Sequence, residues 1–165
     1  MEPYNIWFGE LNGKAVEQLM FDPKGYSFLK KIPRLFASDK SKRNLIARVE
    51  KVLALGENSR VMLKCDCNRP AAVVLCDDSG GRTVFLKCFC EECVPKVLGY
   101  RRWIVALKFS SILSFSRSDQ KEFIGILKSA LGIFGAVTKD NAFKCFFPDE
   151  PVRKKSPAVQ LFLAF

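Results

Sequence analysis

Hydrophobic positions in this chain follow three successive patterns. From Ala15 to about Leu55 they recur at helical spacing. Val16, Leu19 and Met20 open the series. Tyr26, Leu29 and Ile32 continue it as a stripe that starts at Asp22-Pro23, with Asp22 as cap and Pro23 at the first helical position. Pro33 is expected to stop that helix. Leu45, Ile46, Val49, Val52 and Leu53 mark the apolar face of a third helix, capped by Ser38 or Ser41 and ended by Gly56. Ahead of these helices, Trp7-Phe8 runs into Asn12-Gly13, a tight-turn signal.

The period then shortens. Val61-Met62-Leu63 and Ala72 to Leu75 read as strands, and Thr83 to Leu86 as the returning strand of a hairpin that turns near Ser79 to Gly81. Pro95 stands where a short helix begins. Trp103 to Phe115 alternates and predicts another strand. Ser118 is placed to cap a helix with Phe123, Ile126, Leu127, Ala130, Leu131 and Phe134 on one face. Ala142 to Phe147 and Val159 to Phe165 are short apolar segments separated by a polar stretch. The pattern predicts an α+β fold: a helical N-terminal region, a central hairpin, and a mixed α/β C-terminal part. It divides the chain into a basic helical module (1–57), a cysteine-bearing hairpin module (58–100) and a strand–helix–strand part packed on the rest (101–165).

Composition narrows the chemistry. The 165 residues suffice for one core, and a 48% hydrophobic content argues against global disorder. There is no histidine, which excludes Ser-His-Asp and Cys-His catalysis and every histidine metal site. No leader pattern and no apolar run of membrane-spanning length is found. Seven cysteines, an odd number and clustered, point to a reducing cytoplasmic setting and to metal binding or packing rather than disulfides.

Five of those cysteines bracket the predicted hairpin. Cys65-Asp66-Cys67 precedes it, and Cys88-Phe89-Cys90-Glu91-Glu92-Cys93 follows it. Two such groups at the base of one hairpin can close a tetrahedral thiolate site for zinc. The expected ligands are Cys65, Cys67, Cys90 and Cys93, with Cys88 as the substitute for Cys90. The alternative is a set of unmetallated thiols acting as small hydrophobes. Cys76 and Cys145 stand in apolar runs and read as core thiols. The layout over about residues 60–100 resembles a zinc ribbon or a treble clef. It departs from the usual pattern in having a C-x-C first pair and no knuckle glycine.

The segment WFGELNGKAVEQLMFDPKGYSFLKKI resembles the C-terminal module of exodeoxyribonuclease X-like exonucleases. The resemblance rests on Phe8, Gly9, Gly13, Lys14, Leu19, Asp22, Pro23 and Tyr26, and covers about residues 6–32. It implies association with nucleic acid. It does not imply nuclease activity, because no cluster of acidic metal ligands can be assembled from this chain. Gly9 to Lys14 is not a phosphate loop either, since Ala15 stands where Ser or Thr would hold magnesium.

Charge supplies the third signal. The net charge is +10. Residues 23–51 hold nine basic side chains against Asp39 and Glu50. Lys30, Lys31, Arg34, Lys42, Arg43 and Arg48 are the candidate phosphate contacts, with Tyr26, Phe28 and Phe36 interleaved for base stacking. The reading that follows is a small non-enzymatic zinc-containing module that binds DNA or RNA through a basic surface and does not enter membranes. The alternative is an adaptor or regulator docking on an acidic protein such as a nuclease, polymerase or immune complex. An enzyme ranks last: without histidine, Asp77-Asp78 and Glu91-Glu92 are adjacent pairs suited to solvation rather than shared acid–base work.

Overall fold

The structure is a computed structural model, and it describes residues 2–59, 63–77, 85–97 and 102–150. The expected hairpin turn at Ser79 to Gly81, most of the segment Val61 to Leu63, and the apolar segment Val159 to Phe165 lie outside those residues. The architecture is α+β, with a helical N-terminal region and one antiparallel three-stranded sheet. Among the described residues no helix is long and apolar enough to cross a membrane.

The N-terminal segment folds back on itself before the first helix. Ile6 N–H donates to Lys14 O (2.9 Å), Gly13 N–H to Ile6 O (2.7 Å) and Val16 N–H to Tyr4 O (2.8 Å). Asn12 at φ −53°, ψ 133° and Gly13 at φ +79° make the corner a type II turn. That turn needs a positive φ at its third residue, which explains the glycine. The chain then enters α1 (Val16–Leu19), α2 (Pro23–Leu35) and α3 (Arg43–Glu57). Asp22 caps α2 as its sequence position suggests, accepting from Gly25 N–H at 3.3 Å. Pro33 does not stop the helix, contrary to expectation. It falls in the last turn, and Phe36 N–H still closes on Ile32 O at 3.1 Å.

Neither proposed serine caps α3. Asp39 instead caps a short 3-10 turn, accepting from Ser41 N–H (2.9 Å) and Oγ (2.6 Å), and α3 grows out of that turn. Gly56 lies inside the helix. A Cβ there would meet Met20 Cε at 2.6 Å and Phe109 Cδ2 at 3.0 Å, so this glycine serves close packing.

The strands are β1 (Val73–Asp77), β2 (Phe85–Phe89) and β3 (Arg102–Ala106), in the order β2-β1-β3. Val73 pairs with Phe89 and Ala106, and Cys76 with Leu86 and Trp103. A helix of one turn, α4 (Val94–Val97), follows β2. The strand expected over Trp103 to Phe115 ends at Ala106 and becomes a 3-10 turn, Phe109–Ser114. Glu57 at the end of α3 accounts for the break. Its carboxylate accepts from Ser110 N–H (2.8 Å) and Ser110 Oγ (2.7 Å), so the backbone is satisfied without a ladder.

The last helices are α5 (Arg117–Ala130) and α6 (Lys139–Phe146). Ser116, not Ser118, caps α5. Phe134 falls beyond its end and is 83% exposed, while Ile124 takes a place in the core. The segment 142–147, read as a short apolar stretch of a strand–helix–strand unit, is helical as far as Phe146. Thr138 and Asn141 form a capping box that starts it, through Asn141 N–H to Thr138 Oγ1 (3.2 Å) and Thr138 N–H to Asn141 Oδ1 (2.8 Å).

One apolar core joins α1, α2, α3, α5, α6 and the inner face of the sheet, with Leu19, Leu29, Val52, Val74, Phe109, Phe123 and Phe143 among its members. A buried ion pair runs through it. Arg48 Nη2 lies 2.6 Å from Glu17 Oε1, and Arg48 Nε donates to the same oxygen at 2.7 Å. Glu17 also accepts from Tyr4 N–H at 3.3 Å, and Arg48 Nη2 donates to Glu2 O at 3.2 Å. The guanidinium lies over Phe147, 4.1 Å from the ring centroid. Arg48 is therefore interior, and its assignment to the phosphate-contacting surface is corrected. Its position gives the reason: it falls three residues after Leu45 and four before Val52, on the apolar stripe of α3.

Removing one partner strands the other charge. Arg48→Ala is expected to lower the unfolding free energy by about 3–5 kcal/mol. Lys30→Ala, on the solvent side of α2, should change it by about 0.5 kcal/mol or less. Paired urea unfolding curves measure both.

Candidate metal centre

Three local structures carry the cysteines. The first is the loop 64–70. Cys65 N–H donates to Arg69 O (2.8 Å), Asn68 N–H donates to Cys65 O (2.8 Å), and Lys64 bridges Pro70. Asn68 sits at φ +67°. It supplies the left-handed residue that a knuckle glycine would provide, and asparagine is the residue after glycine that tolerates this region best. The missing glycine is thus answered by the next residue type on the scale.

The second is the end of β2. Antiparallel pairing sets Phe89 opposite Val73 and Cys88 opposite Val74. Successive side chains of a strand point to opposite faces. Cys88 therefore packs with the main core, while Phe89 lies on the outer face. Cys88 cannot stand in for Cys90, and burial pushes its thiol up to about 11. The third is the 3-10 turn Glu91–Cys93, in which Cys93 N–H donates to Cys90 O at 3.1 Å before the chain enters α4.

These pieces bring Cys65, Cys67, Cys90 and Cys93 together. Their sulfurs all lie within 4.8 Å of one another, and Cys67 Sγ is 3.5 Å from Cys90 Sγ. Four thiolates bound at about 2.3 Å in a tetrahedron stand roughly 3.8 Å apart. The group can hold a metal ion with small adjustments. Cys65 and Cys90 are buried, Cys93 is half-buried and Cys67 faces solvent. The surrounding apolar residues are Val73, Leu75, Phe89 and Val94, a satellite cluster on the outer face of the sheet.

The electrostatics suit an anionic centre. Backbone N–H groups of Cys67 and Cys90 point at the Cys65 sulfur and lower its pKa to about 6. Hydrogen bonds with the Cys90 and Cys67 sulfurs hold Cys93 up at about 12 without a metal. A divalent cation would override that order, because its own charge dominates the site. Lys87 Nζ reaches Asp66 Oδ2 at 2.7 Å, and Arg69 pairs with Glu92. Both bridges tie the first loop to the strand and turn that bear the second cysteine pair. The remaining cysteines lie elsewhere: burial raises Cys76 to about 11 and Cys145 to about 12.

Five of the six cations assigned to a basic surface remain accessible. Lys30, Lys31 and Arg34 are exposed along α2, and Arg43 is exposed at the start of α3. Lys42 is half-buried, its Nζ 4.8 Å from the ring centroid of Trp7 and 4.9 Å from that of Phe8. Two cations went unassigned from the sequence. Lys24 lies one helical turn before Phe28, and Arg117 opens α5; both line a groove with Lys31. The spacing Lys24, Phe28, Lys31 was a readable signal for one face of α2. The approach of Arg117 from α5 was not. No protein-family model, curated protein or solved structure matches this chain.

The separation of Cys88, packed with the main core, from Cys90, in the satellite cluster, is testable. Cobalt(II) titration followed by thiolate charge-transfer absorption should give full binding for Cys88→Ser and Cys145→Ser. Cys90→Ser, Cys93→Ser and Cys65→Ser should lose tight binding. Retention of tight binding by Cys90→Ser together with its loss in Cys88→Ser would reverse that assignment.

Proposed function

We propose that the protein is a small non-enzymatic module with one structural zinc, which binds nucleic acid through its basic helical side. The observation behind the metal assignment is the closed set of four sulfurs. A tetrahedral all-thiolate site favours zinc or iron among biological metals, and zinc needs no redox partner. Four protein ligands leave no position for substrate or for an activated water, which favours a structural role over a catalytic one. Loop, hairpin and turn then read as a zinc-ribbon or treble-clef-like unit.

The nucleic-acid reading is supported by the charge of +10 and by the exposed Lys30, Lys31, Arg34 and Arg43, with Lys42 held over Trp7. Trp7 is itself 47% exposed. Cations beside an accessible ring suit phosphate contact and base stacking together.

Elemental analysis of the purified protein should find about one zinc per chain. Iron in its place, or a folded metal-free protein, would overturn the metal assignment. A labelled oligonucleotide should bind with an affinity that falls linearly on a logarithmic salt scale. Reversing Lys42 and Arg43 together should weaken that binding and leave the zinc content unchanged. Absence of nucleic-acid affinity, with co-purification of an acidic protein that the same reversal releases, would favour the adaptor reading instead.

A further inference from the structure

We propose that two adjoining depressions on α2 form a track for single-stranded nucleic acid, with phosphates in the groove between α2 and α5 and a base in the aromatic cleft beside the N-terminal turn. This rests on the nucleic-acid reading above and names where the strand lies and which residues hold it. The groove, about 340 Å³, is lined by Lys24, Ser27, Phe28 and Lys31 of α2 and by Arg117 and Gln120 of α5. Among the described residues no acidic side chain lines it.

No carboxylate of the described residues pairs with the cations of this groove. Arg48, Arg69, Lys87 and Arg102 each pair with a carboxylate. Among the described residues Lys24, Lys31 and Arg117 have no such partner, although they surround one groove. Three uncompensated cations at one concavity raise the local potential for an anion. Ser27 and Gln120 add hydrogen-bonding groups beside them.

The cleft is the complement. It encloses about 550 Å³, within the range of small-ligand sites, and its walls include Phe8, Phe28 and Phe36. Phe8 and Phe36 meet edge to face, with centroids 5.3 Å apart. Glu10 and Asp22 also line it. Their carboxylates disfavour a phosphate there and can accept from the amino group of a base. Lys24 and Phe28 line both depressions, so cleft and groove share one ridge. A ligand that fills both must carry anionic groups and flat rings in alternation. A single strand does so with its bases unstacked and free to enter a cleft, whereas a duplex keeps its bases stacked inside.

The test uses the full zinc-loaded chain, a fluorescein-labelled oligothymidylate, the same strand in a duplex, and an abasic strand of equal length. The single strand should bind more tightly than its duplex. The abasic strand should bind roughly 5- to 150-fold more weakly, the range expected for losing one stacked base. Neutralising Lys24, Lys31 and Arg117 together (K24Q/K31Q/R117Q) should reduce the slope of log affinity against log salt by about 2, roughly 0.7 for each phosphate contact on a single strand. All three side chains are exposed, so circular dichroism and zinc content should not change. If the triple variant keeps the parent's affinity and slope while reversal of Lys42 and Arg43 abolishes binding, the track is overturned and the nucleic-acid reading stands. Equal binding of the abasic strand, or tighter binding of the duplex, also overturns the track. If the parent binds none of the three, both fail.

Discussion

The pleat of β1 is the constraint on which the arrangement depends. This strand is the middle one of three, and Val73 through Cys76 are all buried. A central strand with both faces covered must send alternate residues into two different environments. Val74 and Cys76 enter the main core, while Val73 and Leu75 enter the satellite cluster. The register with β2 extends that division to Cys88 on one side and Phe89 on the other. A slip of one residue would exchange the two sets. It would aim Cys88 outward and withdraw Phe89 from the cluster around the four sulfurs. The metal centre is therefore positioned by the same periodicity that fills the core, not by its own short loops alone.

Much of this could be read from the sequence, and the failures share a cause. Asp22-Pro23 caps and starts α2 because both effects are local: a side-chain acceptor and a preset φ. The four sulfurs were legible because loop, hairpin and turn fix their own ends. The choice between Cys88 and Cys90 was not, since the two would share a face of a continuous strand and only the end of β2 at Phe89 lets Cys90 turn into the satellite cluster. Arg48 was misassigned by reading charge as exposure, although its helical spacing placed it on the buried stripe. Glu17, its partner, lies 31 residues away. Nothing local announces such a pair, and only the packing of α1 on α3 brings it together. The end of β3 has the same origin. Glu57 and Ser110 are 53 residues apart, and their bonds replace the ladder that the alternation had suggested.

The distribution of paired and unpaired charge follows from where each cation stands. A guanidinium in the core must be matched, because an isolated ion there is strongly disfavoured by desolvation. Arg48 meets that demand with Glu17, with a backbone carbonyl and with the face of Phe147. At the cysteine loops, Lys87 and Arg69 are solvated, and their bridges to Asp66 and Glu92 contribute mainly register. Along α2 neither demand applies. Water satisfies Lys24 and Lys31 at little cost, so the fold does not require them to be cationic, and folding alone gives no account of their charge.

A metal at the cysteines would complete a cluster too small to hold itself. The buried members of the satellite are Val73, Leu75, Phe89, Val94, Cys65 and Cys90, and two of these six are thiols. The loop 64–70 covers them with few backbone hydrogen bonds and a residue at positive φ. Unmetallated, the four sulfurs offer one another only weak S–H contacts and, once ionised, mutual repulsion. A divalent cation converts that repulsion into four bonds, and the binding free energy then becomes ordering free energy for the loop and the turn. The inner face of the sheet needs no such help, since it rests on the large core. Because β1 and β2 serve both faces, order imposed by the core reaches Phe89 and Cys90 before any metal arrives. What the metal adds is concentrated at Cys65 and Cys67, on the loop 64–70, which contributes no residue to the main core.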